Sequence, residues 1–482
     1  MKTVKIRMRT LGIIGFLLLI IFFTTILGHF DADAGLKSKC ITLTIVYASC
    51  ILIWVSETHK IASLFFIFLV YMMFSNAGQL LLYGFGIDFE GYYLNVINLY
   101  SEDVVIRAID FQNICVILMT AFGIVAYNTH ALKAKMEIDE NVKDIQTKDN
   151  SKNIDYIDAL FIIFSFVFIA FNVITLTGRI DSSYHDSYYR GDRSSASIYV
   201  KFPFCILMYA SLKKHWEQND VFKKVILMLA GLVALTTILY GSRNELITIL
   251  VGSMFIVFRV CSYKIDSLWK KIVIVSILLF IVLIFNAIST LRNLSLSSLN
   301  LLTISNAFFS GGLTVNLSRL IAEMGGSMRT LCSTIVQIDR GQAHEATFIY
   351  TLLKSFVPVG VLNAVGITEP VNWSLSGWIT YINGNGSGWG YSIIAEAFYN
   401  FGEAGFLFFA FFGYVYEILE LKIERWYLEG KQFLAGAWLY VGSYIVFLAR
   451  ADSCLITTPF RYAVYITIIS LLLKNKKVRI HS

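Results

Sequence analysis

Long apolar stretches recur along almost the whole 482-residue chain, and they constrain the fold more than any other feature. A run of about 20 apolar residues lets a helix cross a bilayer, where every backbone N–H and C=O group must be bonded within the protein. Hydrophobic residues make up 56% of the sequence and charged residues only 15%, whereas soluble domains are about one quarter charged. The sequence therefore predicts an all-α polytopic integral membrane protein.

About twelve transmembrane helices are predicted from the length of these stretches. They cover residues 11–28, 41–56, 61–84, 110–127, 156–176, 198–212, 225–240, 246–260, 272–288, 404–420, 433–449 and 460–474. Lysines fill four of the intervening loops and the C-terminal tail, and twelve crossings place all of these and both termini on one face. The positive-inside rule makes that face the cytoplasm.

This topology divides the chain into three parts: a bundle of about nine spans (1–288), a large extracytoplasmic loop (289–403) and about three C-terminal spans (404–482). The loop is not uniformly polar, because residues 315–336 have helical apolar spacing and residues 345–366 are apolar and amphipathic. We expect interfacial helices within it.

The two kinds of cation separate across this topology. Of 24 lysines, 20 fall on the cytoplasmic side, whereas 11 of 16 arginines fall on the outer side. The planar guanidinium of arginine pairs bidentately with phosphate, while lysine acts as a point charge. The distribution predicts an anionic substrate at the outer leaflet. The net charge of +7 reflects the cytoplasmic lysines and does not indicate a nucleic-acid partner.

The sharpest of these arginines is Arg243, in the sequence Gly-Ser-Arg-Asn-Glu at 241–245, which leaves almost no loop between two apolar runs. A cation at such a boundary is costly unless it faces a cavity or a partner, so it is a functional candidate. The alternatives are that Arg243 pairs with Glu245 or reaches the lipid head groups.

A second outer loop, residues 177–197, carries Arg179, Arg190 and Arg193 among aspartates and clustered tyrosines. Tyrosine rings beside acids and arginines are suited to sugar faces and hydroxyl groups. The alternative is an aromatic belt at the membrane interface whose loop charges neutralise one another.

The strongest local pattern is a glycine-rich run that includes Gly388 and Gly390 and leads into a helix predicted to begin near Ser392. A glycine-rich turn before a helix presents free N–H groups to an anion. Ser392, Glu396 and Asn400 follow at i, i+4 and i+8, close to one helix face. Glu396 has apolar neighbours in sequence and is a candidate general acid or base. The alternative is that Glu396 pairs with an arginine.

Arg450 and Arg461 flank the short loop before the last span, at the ends of two apolar segments, and Asp452 lies within the loop. The arginines are candidates for binding an anion or for reaching the head groups. The seven cysteines have no CxxC pair and no metal-ligand spacing, so the sequence predicts neither a metal site nor a disulfide.

These motifs resemble the Wzy-type polymerases of O-antigen and capsule repeat units. The agreement lies in the Gly-Ser-Arg turn at 241–243, the glycines at 388–390, Ile-Ala-Glu at 394–396 and Asn-Phe-Gly at 400–402. The resemblance implies a membrane glycosyltransferase of GT-C-like architecture that uses neither a metal nor another cofactor. Its donor would be a glycan on undecaprenyl diphosphate, joined to another lipid-linked repeat unit at the outer face of the bacterial cytoplasmic membrane.

The resemblance also implies membrane lipids, a flippase and a chain-length regulator as partners. In this interpretation Arg243, with Arg190 or Arg193, stabilises the diphosphate, and Glu396 acts as the base or orients the acceptor. Arg179 and Arg450 are further substrate-binding candidates, together with Gly388, Gly390, Ser392 and Asn400.

Three alternatives remain at this point. The first is an O-antigen-ligase-like enzyme that transfers finished glycan to a different acceptor. The second is a flippase or transporter for lipid-linked oligosaccharide, although a transporter commonly places charges in the middle of its spans. The third is a structural component of an envelope complex.

Overall fold

A computed structural model describes residues 35–87, 95–145, 154–177, 197–218, 220–240, 243–263, 312–341, 347–370, 372–383 and 389–480. Every regular element in these ranges is helical. Apolar side chains supply the lipid-compatible surface, and the helix bonds each backbone polar group within its own segment.

The first group of helices is α1 Leu36–Thr58, α2 Leu64–Gly84, α3 Val96–Leu99, α4 Glu102–Ile145, α5 Ile154–Thr177, α6 Ser197–Gln218, α7 Phe222–Tyr240 and α8 Arg243–Met254. The second group is α9 Gly312–Met324, α10 Ser327–Asp339, α11 Thr347–Phe356, α12 Val359–Ala364, α13 Leu375–Asn383, α14 Ile393–Phe401, α15 Phe406–Leu428, α16 Gln432–Ile445 and α17 Thr457–Ile480. A short 3₁₀ turn at Gly402–Gly405 connects α14 to α15, and two at Val446–Ala449 and Ser453–Ile456 connect α16 to α17. Helix α8 continues as a π-helical turn over Phe255–Val260.

Eight of the described helical stretches are long and apolar enough to cross a membrane. They are Leu36–Thr58, Leu64–Gly84, Glu102–His130, Tyr156–Thr177, Phe222–Leu239, Ile393–Leu428, Gln432–Ala449 and Ser453–Leu472. Each corresponds to one of the predicted spans.

Four predicted spans have no counterpart among these eight. The spans at 198–212 and 246–260 are helical, as α6 and as α8 with its π-helical turn, but are not among the stretches that meet the length and apolarity needed for a crossing. The spans at 11–28 and 272–288 lie outside the described residues. Within the 289–403 segment, the expected helices at 315–336 and 345–366 are found as α9 with α10 and as α11 with α12.

Two compact units are formed from discontinuous parts of the chain. The first comprises Met1–Thr147, Ile321–Arg425 and Tyr444–Tyr465. The second comprises Lys148–Leu320, Trp426–Ser443 and Ile466–Ser482.

In the first unit, helices approach closely where small residues allow it. A Cβ added to Gly78 in α2 would lie 2.6 Å from the backbone oxygen of Ile321, so a side chain there would separate the two segments. Small residues let helix backbones approach in membranes, where packing replaces the hydrophobic effect between helices. The same unit buries Lys60 against three carboxylates of α15, at 3.3 Å from Glu424, 3.6 Å from Glu417 and 3.8 Å from Glu420.

The second unit is joined by polar contacts between helices. Asp158 in α5 accepts hydrogen bonds from Ser211 (2.8 Å) and Lys214 (2.7 Å) in α6. Asn172, also in α5, donates to Thr236 of α7 at 3.0 Å. A buried polar group without a hydrogen-bond partner destabilises the fold. These bonds form only when the helices pack in this way, so they help to fix the packing.

Candidate functional site

The last glycine of the glycine-rich run, Gly390, packs against the loop before α17. Gly390 has φ +69°, a left-handed conformation that strains residues with a Cβ. A Cβ at this position would also lie 3.3 Å from the carbonyl oxygen of Arg450. The next residue, Tyr391, donates its backbone N–H to the same carbonyl at 3.4 Å. Glycine is therefore required here both by the backbone angle and by the close packing.

Ser392 begins helix α14, as the sequence predicts. Its backbone is extended, and its hydroxyl oxygen accepts the N–H of Ala395 at 3.2 Å, which is an N-cap hydrogen bond. Beside it, Tyr391 is buried and its hydroxyl lies 2.7 Å from that of Thr334. Burial raises the pKa of Tyr391 well above its ordinary value, so the phenol keeps its proton.

Glu396 lies one turn into α14 and only 1% of it is exposed. One carboxylate oxygen, Oε2, accepts the backbone N–H of Ser453 at 2.6 Å. The other, Oε1, accepts the hydroxyls of Ser453 at 2.6 Å and of Thr347 at 3.1 Å. All of these partners are neutral donors, so the alternative in which Glu396 pairs with an arginine is not what the described residues show.

A chain of hydrogen-bonded side chains links Glu396 to Trp373. The indole of Trp373 can only donate, and it donates to the hydroxyl oxygen of Thr351 at 3.0 Å. The hydroxyl oxygens of Thr351 and Ser453 are 3.1 Å apart. The Ser453 hydroxyl can donate to Thr351 or to Glu396, and it lies 2.6 Å from Oε1 of Glu396. The chain runs from Trp373 through two hydroxyls and ends on the carboxylate.

A second chain of donors ends on the same oxygen. The amide nitrogen of Asn400 donates to the hydroxyl oxygen of Thr347 at 2.8 Å, which leaves the Thr347 proton for Glu396. The amide oxygen of Asn400 accepts the backbone N–H of Phe348 at 3.2 Å, which fixes the orientation of the amide. Hydroxyl and backbone N–H groups that can donate thus surround the Glu396 carboxylate, which makes Glu396 a candidate general base.

Asp452 fastens the same loop to α13. It is buried, and its Oδ2 accepts the backbone N–H of Ser376 at 2.8 Å near the start of that helix. Its other oxygen accepts the thiol of Cys454 at 2.8 Å. Loop residues 450–453 are thus joined to α14 through Glu396 and to α13 through Asp452.

Arg450 is the first residue of this loop. Its backbone is bonded on both sides, because its N–H donates to Phe447 at 2.7 Å and its carbonyl accepts from Tyr391. The side chain is half-buried and forms no ion pair with the described residues. Of the predicted site residues, the structure brings Gly390, Ser392, Glu396, Asn400 and the backbone of Arg450 into one cluster.

A model of the family described as O-antigen polysaccharide polymerase Wzy matches residues 11–478, nearly the whole chain. The chain belongs to the Wzy family. A search of curated proteins and a search of solved structures each give no match. This family acts on lipid-linked oligosaccharide repeat units, so the chain is an O-antigen polysaccharide polymerase in general terms and a multi-pass membrane protein.

Arg243, the last residue of the predicted Gly-Ser-Arg turn of this Wzy-family chain, belongs to the second unit. Helix α8 begins at Arg243, and the side chain of Arg243 lies outside the described part of the structure. Glu245, which the sequence offered as a partner for Arg243, forms an ion pair with Lys201 of α6. The partner of Glu245 is therefore a lysine 44 residues earlier in the chain, which sequence reasoning did not identify.

Four predicted site residues lie outside the described residues: Arg179, Arg190, Arg193 and Gly388. Conversely, sequence reasoning missed Thr347, Thr351, Ser453 and Trp373, which complete the cluster around Glu396. An isolated serine or threonine has no local sequence pattern that would predict its contact with Glu396. Within the described segments, no group of three or more His, Cys, Asp or Glu side chains has the arrangement of a metal site.

Proposed function

We propose that this Wzy-family chain joins undecaprenyl-diphosphate-linked oligosaccharide repeat units at the outer face of the bacterial cytoplasmic membrane. The product is an O-antigen, capsule or exopolysaccharide, and the enzyme is a metal-independent glycosyltransferase of GT-C-like architecture with both termini in the cytoplasm. A flippase supplies the repeat units and a chain-length regulator acts with the polymerase. Family membership and the eight apolar helices support this proposal.

The distribution of cations also supports it. Three of the four lysines on the predicted outer face are in ion pairs, namely Lys39 with Asp110 (3.0 Å), Lys354 with Glu369 (3.0 Å) and Lys201 with Glu245. These lysines are neutralised within the protein. Arg450, by contrast, forms no ion pair with the described residues, and a guanidinium matches a diphosphate better than an ammonium does.

In the proposed reaction, the hydroxyl of an acceptor repeat unit attacks the anomeric carbon of the donor glycan. The bond between that carbon and the diphosphate oxygen breaks, and the undecaprenyl diphosphate leaves with the electron pair. Glu396 takes the proton of the acceptor hydroxyl or orients that hydroxyl. Arg243, with Arg190 or Arg193, stabilises the charge on the leaving diphosphate.

The remaining predicted residues bind the substrate or shape the site. Arg179 and Arg450 contribute further positive charge for the substrate, and Gly388 and Gly390 form the turn beside it. Ser392 begins the helix that carries the base, and Asn400 supports the base through Thr347. The buried carboxylate of Glu396, surrounded by donors, is the observation that carries this proposal most directly.

The test uses a strain that lacks the native enzyme. Arg243→Ala and Glu396→Gln should leave single repeat units in place of polymer. Arg340→Ala, which removes an exposed cation at the end of α10, is the matched control and should keep the polymer length. Polymer of normal length from both site variants would refute the assignment.

A further inference from the structure

Helix α11 faces the protein with its polar side. Thr347, Thr351 and Ser355 are buried, and the first two belong to the hydrogen-bond network of Glu396. The apolar side chains point outward: 58% of Ile349 and 57% of Leu352 are exposed. Phe356, one turn further, is 48% exposed. A soluble helix buries the opposite side, so this arrangement requires an apolar surrounding.

The exposed apolar surface continues beyond the end of α11. Val361 in α12, and Val365 and Ile367 directly after it, are also exposed. Exposed apolar side chains that recur over such a stretch mark a surface that contacts something other than water.

Both ends of α11 contact helices that are apolar enough to span a membrane. At one end, the ring of Phe348 stacks on Phe408 of α15 at 4.5 Å. At the other, Phe356 meets Phe460 of α17 edge to face at 5.3 Å. Phe408 and Phe460 each lie within the first few residues of their helix. A ten-residue helix is about 15 Å long, so α11 lies across the first turns of α15 and α17.

The polar edge of α11 has the side chains that typically occur at a membrane surface. The Lys354 ammonium lies 3.4 Å from the centre of the Trp373 ring and 3.0 Å from Glu369. Arg461 of α17 donates to the carbonyl oxygen of Lys354. Tryptophan and basic residues concentrate at the boundary between hydrocarbon and water.

We propose that α11 and α12 lie in the plane of the membrane boundary, with the ridge of Ile349, Leu352 and Phe356 inserted among the lipid acyl chains. The contacts of α11 with α15 and α17, which are apolar enough to span a membrane, point to acyl chains as the occupant. The opposite side of the same helix holds Thr347 and Thr351 against Glu396. In consequence the membrane fixes the depth of Glu396, and this last step rests on the proposed function.

The test places a nitroxide label on the full chain in phosphatidylethanolamine–phosphatidylglycerol liposomes. The two half-buried native cysteines are replaced (Cys261→Ala and Cys454→Ser), and the other five are buried. Labels are attached at Ile349→Cys and Leu352→Cys, with Arg340→Cys as the exposed control. Collisions with molecular oxygen, which enters hydrocarbon, are compared with collisions with a water-soluble nickel chelate.

The ratio of oxygen to nickel collisions should be several-fold higher at Ile349 and Leu352 than at Arg340. A ratio equal to the control would show that the ridge is in water and would overturn the proposal. Protection from both reagents, with dipolar broadening between labels, would show that a second copy of the chain covers the ridge and would also overturn it. The collision ratio does not depend on polymerase activity. The membrane position of α11 and the proposed function are therefore tested separately.

Discussion

Replacing Glu396 with glutamine separates a catalytic role from a structural one. The amide has the shape of the carboxylate, and its oxygen can take the Oε2 position and accept the N–H of Ser453. The amide nitrogen then takes the Oε1 position and donates to the hydroxyls of Ser453 and Thr347, which rotate to accept. The Glu396→Gln variant therefore retains all three contacts but cannot take a proton.

The expected magnitudes differ enough to be distinguished. A hydrogen bond to a charged group is worth about 1 kcal/mol more than a neutral one, and burying an amide costs less than burying a carboxylate. These effects offset each other, so we expect the free energy of unfolding to change by about 1 kcal/mol. Loss of a general base lowers the rate by about 10²- to 10⁴-fold, which corresponds to about 3–5 kcal/mol of activation free energy.

The assay measures the initial rate of polymer formation by the purified protein from lipid-linked repeat units, alongside its thermal unfolding. Glu396→Gln should unfold close to the wild-type temperature and lose at least about a hundredfold in rate. The comparison variant Glu396→Ala leaves the buried N–H of Ser453 without its acceptor and should lose about 1–3 kcal/mol of stability as well. A glutamine variant with a rate close to that of the wild type would show that Glu396 only holds the loop.

Three further perturbations test the surroundings of this cluster. Gly390→Ala should abolish polymer formation while the protein still inserts and folds. A Cβ strains a φ of +69° and displaces the loop at Arg450. The control is Gly360→Ala, where a Cβ would meet open space. Arg450→Ala should lower the rate by about 10²-fold with lysine recovering only part of it, and equal rates in a steady-state comparison would count against a charge role. Lys60→Met should destabilise the protein by about 3–5 kcal/mol, because buried Glu417 and Glu420 lose their cation; an unchanged unfolding temperature in detergent would contradict this.

Local patterns predict the helix that carries Glu396, because a glycine turn, a capping serine and an apolar run are adjacent in sequence. They do not predict its partners. Thr347 and Ser453 lie 49 and 57 residues away from Glu396 in the chain, and their positions depend on how α11 and the last loop pack. A serine or threonine alone carries no signal of such a contact.

Prediction of the membrane spans is likewise limited by contacts between residues that are distant in the sequence. Strongly apolar segments such as 156–176 correspond directly to a described helix, Tyr156–Thr177. Segment 198–212 is helical but carries Lys201 and continues to the polar residues around His215, which reduces its apolar character. The Lys201–Glu245 ion pair explains how a lysine is accommodated at this position, and hydropathy alone does not reveal such a pair.

The central claim is that this chain polymerises lipid-linked repeat units by itself and without a metal. The most direct measurement gives the purified protein, in liposomes with a chelator, undecaprenyl-diphosphate-linked repeat units as the sole glycan. We predict a ladder of products and the release of one undecaprenyl diphosphate for each linkage formed. Single repeat units alone, or a ladder that forms only when a divalent cation is restored, would contradict the account.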